Sequence, residues 1–219
     1  MEDARTVHVQ VRRVRALHVA IDARLAHYTA GGIVQYTLAL ARALAVVAPD
    51  DRFTLLRSVK QRGGLPCAHN LRSARLVTPP HHRLERAALS IELAPFRFDL
   101  LHSPDFIPPR LRRGTRSVIT VHDLAFLRDP ELLDGPSRRY YGQIGEAVGR
   151  ADAIIAPSES TRRDLIELTD AAPEKIAVVP EAADERYRPL DRAQRMAALR
   201  SPDRTGLTAD LIRLVSGEF

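Results

Sequence analysis

The pattern that most constrains this chain of 219 residues is an alternation between short apolar runs and amphipathic segments. Apolar runs typical of buried strands occur at 17–22, 53–56, 74–77, 99–102, 117–121, 153–156 and 175–179. Helical patterns occur at 33–48, 83–93, 137–150 and 158–168. Strands that alternate with helices are joined by right-handed crossovers and form a mostly parallel sheet with helices on both faces. The sequence therefore predicts an α/β, Rossmann-like fold.

The helical patterns also place apolar residues together on one side of two helices. In the first helix, one apolar face carries Ile33, Tyr36, Leu40 and Leu44. In the helix at 83–93, the residues expected to face the sheet are Leu84, Ala87, Ala88 and Ile91.

Composition restricts the compartment and the bound groups. The single cysteine, Cys67, cannot form an intramolecular disulfide, and the histidines at 27, 69, 81 and 82 lack the spacing of a zinc site. No apolar run reaches the ~18 residues that a membrane-spanning helix needs. The charged segment 1–15 also lacks the apolar core of a signal peptide. We therefore expect a cytoplasmic protein without a metal or a cofactor.

The charge balance is basic, with a net charge of +6 and a pI near 10.1. Arginines cluster at 12–15 and at 110–113, and such clusters can bind phosphates. Because no aromatic residues alternate with these arginines and no nucleic-acid-binding motif is present, a nucleic-acid partner is not indicated. A solvated arginine-rich surface is the favoured interpretation. An anionic membrane surface or the phosphates of a smaller ligand are the alternatives.

Several polar residues stand where predicted strands end. Asp22, His102 and His122 close three of the apolar runs, and Pro157-Ser158 follows a fourth. In an open α/β sheet, ligands bind beyond the carboxyl ends of the strands. The sequence therefore predicts one cleft that these residues share.

Gly31-Gly32 lies where the first strand gives way to a helix. Without side chains, the backbone N–H groups of a helix start can approach an anion such as a phosphate. The pair is not a dinucleotide-binding fingerprint, because no third glycine follows Gly32. Two interpretations of the glycine pair remain open: it allows a tight turn between the strand and the helix, or it forms a phosphate-binding loop.

Four motifs stand out at the predicted strand ends and helix starts. They are Gly31-Gly32-Ile33-Val34-Gln35-Tyr36-Thr37, His102-Ser103-Pro104, Val121-His122-Asp123-Leu124 and Pro157-Ser158-Glu159-Ser160-Thr161-Arg162-Arg163-Asp164. Together they resemble the amino-terminal half of two-domain retaining glycosyltransferases of family 4, which have the GT-B fold. The resemblance implies that the glycine loop lies against the donor phosphates and the acceptor. It also implies that His122 lies beside the transferred sugar.

The other residues of these motifs have structural alternatives. Asp123 caps or orients its turn instead of reacting, and His102 and Ser103 either contact substrate or brace a loop. Ser158 is expected to be a helix N-cap, worth roughly 1 kcal/mol, besides its place in the substrate-binding motif. Arg162 is expected on the solvated or sugar-facing side of its helix.

The resemblance sets the predicted domains. Residues 1–16 are a leader or an added strand, 17–190 form the glycosyltransferase domain, and 191–219 form a short helical tail. No segment matches the carboxy-terminal donor domain, so we expect an acceptor-side domain that is inactive alone. The expected partners are a nucleotide-sugar donor, a glycan or lipid-linked acceptor, and an anionic membrane surface. The alternative is a non-enzymatic Rossmann-like binding or regulatory protein.

Overall fold

The computed structural model describes residues 15–183, apart from positions 83, 106, 130, 132 and 134, together with residues 191–193 and 196. The predictions for residues 1–14 and for most of the tail lie outside these residues. Contacts divide the chain into one compact unit at Met1–Glu181 and a second at Ala182–Phe219. The sheet and the candidate site lie in the first unit.

The described residues form a seven-stranded sheet, and every predicted strand is present. The strands are β1 His18–Asp22, β2 Arg52–Ser58, β3 Leu71–Leu76, β4 Leu100–Ser103, β5 Arg116–Thr120, β6 Ala153–Ala156 and β7 Ile176–Val178. All neighbours pair in parallel, in the order β3-β2-β1-β4-β5-β6-β7. This order reverses direction between β1 and β4, which is where α/β sheets of this kind bind ligands.

Helices cover both faces of the sheet, as predicted. They are α1 Gly32–Val47, α2 Glu85–Leu93, α3 Ala125–Arg128, α4 Gly135–Tyr141, α5 Ile144–Arg150 and α6 Glu159–Leu168. On one face, Ala41 and Ala45 of α1 pack against Ile21. On the other face, Leu89 of α2 packs against Ala20. The fold class predicted from the alternation is confirmed.

The single helix predicted at 137–150 is wrong, because α4 and α5 are separate helices. They are interrupted at Gly142, whose N–H donates to the carbonyl oxygen of Arg138 at 2.9 Å. A Cβ at Gly142 would lie 2.9 Å from that same oxygen, closer than a side chain tolerates. Glycine therefore permits the close turn between the two helices, and its low helix propensity favours the break.

The predicted inner face of α2 is also wrong. Leu84 and Ile91 are exposed, and the buried residues are Glu85, Leu89 and Leu93. Glu85 faces inward because it pairs with the buried guanidinium of Arg24 at 2.5 Å. An ion pair therefore determines the orientation of this helix, in place of the apolar periodicity that the sequence suggested.

Candidate functional site

The predicted strand-end residues converge at the carboxyl edge of the sheet. Asp22 is the last residue of β1. On the neighbouring strand β4, His102 pairs with Ile21 of β1, and His122 follows β5. These strands are adjacent, and the reversal of strand order falls between β1 and β4. The parallel sheet therefore places side chains that are far apart in sequence around one edge.

His102 is buried at this edge, with 4% of the residue exposed. Its Nε2 atom lies 2.8 Å from Oγ1 of Thr120, and the Tyr36 hydroxyl lies 3.2 Å from the same oxygen. Burial, reinforced by the proximity of His122, lowers the pKa of His102 to about 4. His102 is therefore neutral at pH 7. Its contact with Thr120, which Tyr36 shares, makes it part of the structure of the strand end. A contact between His102 and a substrate stays a prediction.

His122 lies closer to the surface, and oxygen atoms face both of its ring nitrogens. Nε2 lies 3.2 Å from the carbonyl oxygen of Pro104, and Nδ1 lies 2.9 Å from a carboxylate oxygen of Glu181. The Tyr36 ring packs edge-on at 5.0 Å between ring centroids. The His122 ring is therefore held between two oxygen atoms that act as hydrogen-bond acceptors. The position of His122 is thereby set by three elements.

Glu181 was missed as a partner of His122 by the sequence analysis. The two residues are 59 positions apart, and no local motif joins them. They meet because β5, β6 and β7 are neighbours, so that the chain leaving β7 passes the end of β5. The alternation predicted a parallel sheet but not the strand order that brings these two segments together.

Asp123 and Ser158 make the structural contacts that the sequence suggested. Asp123 accepts a hydrogen bond from the N–H of Ala125 at 3.0 Å, at the start of α3. Ser158 is the N-cap of α6 and accepts from the N–H of Thr161 at 3.1 Å. The Thr161 hydroxyl then donates to the carbonyl oxygen of His122 at 3.1 Å. The cap of α6 is therefore linked directly to the His122 turn.

Gly31 and Gly32 occupy the start of α1 with ordinary backbone angles. Gly31 is the N-cap, with φ −69° and ψ 179°, and Gly32 begins the helix. A Cβ at Gly32 would meet nothing within 4 Å. Neither glycine is therefore required for a left-handed conformation, and what they provide is open space in front of the first N–H groups of the helix.

A cavity of about 260 Å³ opens beside His122 at this edge. Ile33 forms part of its lining, and so do the apolar side chains of Phe126, Leu133 and Tyr141. Three carboxylates also line it, from Asp105, Asp123 and Asp129. The cavity thus offers apolar surface and hydrogen-bond acceptors, a combination suited to a hydroxyl-rich molecule. We call this cavity the cleft.

Of the predicted site residues, only His122 and Asp123 line the cleft; those outside its lining are Gly31, Gly32, His102, Ser103, Ser158 and Arg162. Ser103 is buried, and its hydroxyl has no hydrogen-bond partner among the described residues. Arg162 is half-buried on α6, with a guanidinium nitrogen 3.9 Å from the carboxylate of Glu159. Their substrate contacts stay predictions.

A buried ion cluster that the sequence analysis missed adjoins the cleft. Arg24 is 1% exposed and donates to both oxygens of Asp22, to Glu85 and, at 2.9 Å, to the carbonyl oxygen of Thr78. Burial alone would lower the pKa of Arg24, but the two carboxylates outweigh it and keep the guanidinium charged. Burial raises the pKa of Glu85. The cluster ties the end of β1 to α2, and an arginine two residues after a strand gives no signal of this role.

The His81 side chain extends this cluster towards the cleft. Its Nε2 atom pairs with Asp105, its backbone N–H donates to Glu85 at 2.7 Å, and its ring lies 4.0 Å from that of Tyr140.

Among the described residues, no group of three or more His, Cys, Asp or Glu side chains could hold a metal ion. Nor does any helix within those residues have the length and apolarity to cross a membrane.

An all-parallel sheet with this strand order and a cleft at its reversal point defines a Rossmann-like ligand-binding domain of the kind that forms each half of a GT-B glycosyltransferase. The sequence model of Glycosyltransferase Family 4 matches residues 30–187. The chain belongs to this family.

Relatives in other organisms carry the name D-inositol 3-phosphate glycosyltransferase. The one from Thermobispora bispora is 30% identical over 210 residues, which cover 83% of this chain and 47% of the relative. The one from Nocardia farcinica is 31% identical over 148 residues, covering 57% of this chain and 33% of the relative. The chain thus spans half or less of these relatives, which fits an amino-terminal domain.

A solved structure with the same fold is that of WaaG, a glycosyltransferase involved in lipopolysaccharide biosynthesis. It superposes with a TM-score of 0.55 at 12% identity, covering 92% of this chain and 51% of WaaG. At this identity the match supports the fold alone. The predicted family and the GT-B type of fold are confirmed.

Proposed function

We propose that this chain is the acceptor-side domain of a retaining glycosyltransferase that takes its sugar from a nucleotide sugar. The observation that carries the proposal is the position of His122, which stands in the wall of the cleft at the reversal of strand order. Family membership supports sugar transfer as the chemistry. In this proposal, the His122 ring lies beside the transferred sugar, and the open start of α1 at Gly31 and Gly32 receives the donor phosphates.

The lining of the cleft favours one kind of acceptor. Carboxylates accept hydrogen bonds from hydroxyl groups, and apolar side chains such as Phe126 and Tyr141 suit the C–H faces of a ring. Among the described residues, no arginine or lysine lines the cleft. We therefore propose an acceptor that is recognised through hydroxyl groups, either a glycan or the sugar portion of a lipid-linked molecule. A phosphate on the acceptor, as in the name of the relatives, would face the three carboxylates.

Transfer also requires stabilisation of the diphosphate that leaves the donor. We propose that a second, donor-binding half supplies it, as is expected for this family. On this proposal, residues 1–219 bind the acceptor but do not turn it over alone. We further propose a cytoplasmic protein that attaches peripherally to an anionic membrane surface, where a lipid-linked acceptor would be found.

Ligand-observed NMR on the 219-residue protein tests the acceptor site. Inositol and inositol phosphate are suitable probes, and we expect the neutral polyol to bind more tightly. His122→Ala removes part of the wall, and the lost contact should weaken polyol binding about three- to tenfold, which corresponds to about 1 kcal/mol. His69→Ala is the control, because His69 is exposed on a distant loop.

Two outcomes would contradict the proposal. Absence of polyol binding, or equal binding to both variants, would remove the acceptor site and favour a non-enzymatic binding protein. Sugar transfer by the 219-residue protein above a no-protein control, lost in His122→Ala, would show that no second half is needed.

A further inference from the structure

A second cavity lies at the opposite edge of the sheet, where the strands begin. Its volume is about 320 Å³, and its lining includes His18 at the start of β1 and Arg52 at the start of β2. Asp99 and Thr115, which precede β4 and β5, also line it. Because β1 has five residues, roughly 15 Å of strand separates this cavity from the cleft. We call it the basic pocket.

Positive charge dominates the basic pocket. Five arginines line it against the one carboxylate of Asp99, and they are Arg15, Arg52, Arg97, Arg112 and Arg113. Asp99 is already engaged, since it pairs with Arg15 and accepts from the backbone N–H of His18 at 2.8 Å. Within the described part of the chain, Arg52, Arg97 and Arg113 have no carboxylate partner. Among the described residues that line the pocket, guanidinium groups therefore outnumber carboxylates by five to one.

The positive charge of the basic pocket also affects the pKa of His18. Burial, together with the nearby charge of Arg52, lowers the pKa of His18. Its Nε2 atom lies 2.9 Å from the Thr54 hydroxyl. His18 is therefore neutral near pH 7 and adds no charge to the pocket.

The wall of the basic pocket also has an apolar component. The rings of Phe96 and Phe98 are stacked at 5.5 Å between centroids, and His18 packs edge-on against Phe98 at 5.0 Å. Both phenylalanines are half-buried and line the cavity. A rigid aromatic wall lowers the exposure of a bound ion to water, which strengthens its attraction to the arginines.

We propose that the basic pocket binds a phosphate-bearing anion at a site separate from the cleft. Guanidinium groups match phosphate oxygens in pairs of parallel hydrogen bonds, and several converge here. The cleft is lined by carboxylates and disfavours such a ligand, so the cleft and the basic pocket select ligands of different charge. The phosphate comes from a free diphosphate or from a lipid headgroup. Of the arginine cluster at 110–113, for which an anionic membrane surface was one expected partner, only Arg112 and Arg113 line the pocket. Arg110 lies outside the lining, so we include only Arg112 and Arg113 in the proposed site.

Two probes and two double variants test this site on the full chain. The probes are pyrophosphate, measured by titration calorimetry, and phosphatidylglycerol vesicles, measured by sedimentation beside phosphatidylcholine vesicles. We expect Arg52→Gln with Arg97→Gln to weaken binding about tenfold or more, since each arginine contributes on this scale near phosphate charge. The control is Arg42→Gln with Arg75→Gln, which removes the same charge from exposed positions of α1 and β3 outside the pocket. The control should weaken binding less than twofold.

The outcomes separate the two phosphate sources. Binding of pyrophosphate that depends on Arg52 and Arg97, without vesicle binding, identifies a free anion. Vesicle binding with the same dependence identifies a headgroup. Raising the salt concentration should weaken either, because the arginines are exposed. The proposal is overturned if neither probe binds at low salt, or if the two double variants lose affinity equally.

Discussion

The charged residues that lie beside the two cavities, at opposite edges of the sheet, differ in burial and in pairing. At the carboxyl edge, Arg24 is buried and paired with Asp22 and Glu85. In the basic pocket at the amino edge, five arginines face one lining carboxylate, that of Asp99. The net charge of +6 does not show this difference between the two regions, because the basic pocket and the cleft lie at opposite edges of the sheet. The position of each cavity along the strands, rather than overall composition, therefore determines the charge of its lining.

The largest expected difference between the two edges is in stability. Arg24→Met leaves Asp22 and Glu85 without their partner in a buried setting, and should lower the free energy of unfolding by about 3–5 kcal/mol. Arg52→Met at the amino edge removes an exposed guanidinium and should change it by less than about 0.5 kcal/mol. Urea denaturation of both variants at pH 7 measures the difference.

Acid pH sharpens this first prediction. Because burial already raises the pKa of Glu85, loss of Arg24 should favour its protonated form further, and the deficit of Arg24→Met should shrink as the pH falls. A deficit below about 1 kcal/mol at pH 7 would show that the cluster is not a buried charge network.

The second prediction concerns the histidine at each edge. His102 has a folded-state pKa near 4, below its ordinary value of 6.5. Its contribution to stability is therefore present above pH 6.5 and is lost as the pH falls towards 4, by about 3 kcal/mol in total. His102→Gln should flatten this part of the stability curve. His18→Gln should flatten it less, because His18 is only partly buried. Equal curves for wild type and His102→Gln would contradict the burial of a neutral imidazole.

The smallest expected effects come from one glycine at each edge. Gly32→Ala at the carboxyl edge should stabilise the protein by about 0.5 kcal/mol, because its Cβ meets nothing and its φ is not left-handed. Gly114→Ala at the amino edge should destabilise it by about 1 kcal/mol, because φ at Gly114 is +91°. Thermal unfolding should shift in opposite directions, and shifts of the same sign would contradict the backbone assignment.

The parts of the fold that could be predicted from sequence depend on local pattern and on one topological rule. The β-branched run at 117–121 indicated β5, and Ser158 before an amphipathic segment indicated the cap of α6. Because parallel strands all end at one edge, the meeting of Asp22, His102 and His122 also followed from the alternation. Resemblance to a family pointed to the same edge.

The parts that could not be predicted depend on contacts between distant residues. An arginine is usually solvated, so the sequence gave no reason to bury Arg24 or to turn Glu85 inward on α2. The contact of His122 with Glu181 joins segments 59 residues apart. The basic pocket is similar in kind, because its arginines come from four separate segments and only the starts of neighbouring strands bring them together.

The aromatic residues around the cleft have an optical consequence. The chain has no tryptophan and five tyrosines, so its near-ultraviolet emission comes from tyrosine. Three of them surround the cleft: Tyr36 beside His122, Tyr141 in the lining and Tyr140 next to His81. Their emission and dichroism should respond when a molecule enters at the carboxyl edge, and much less when an anion occupies the basic pocket. The protein thus carries a built-in, label-free reporter for one edge of its sheet.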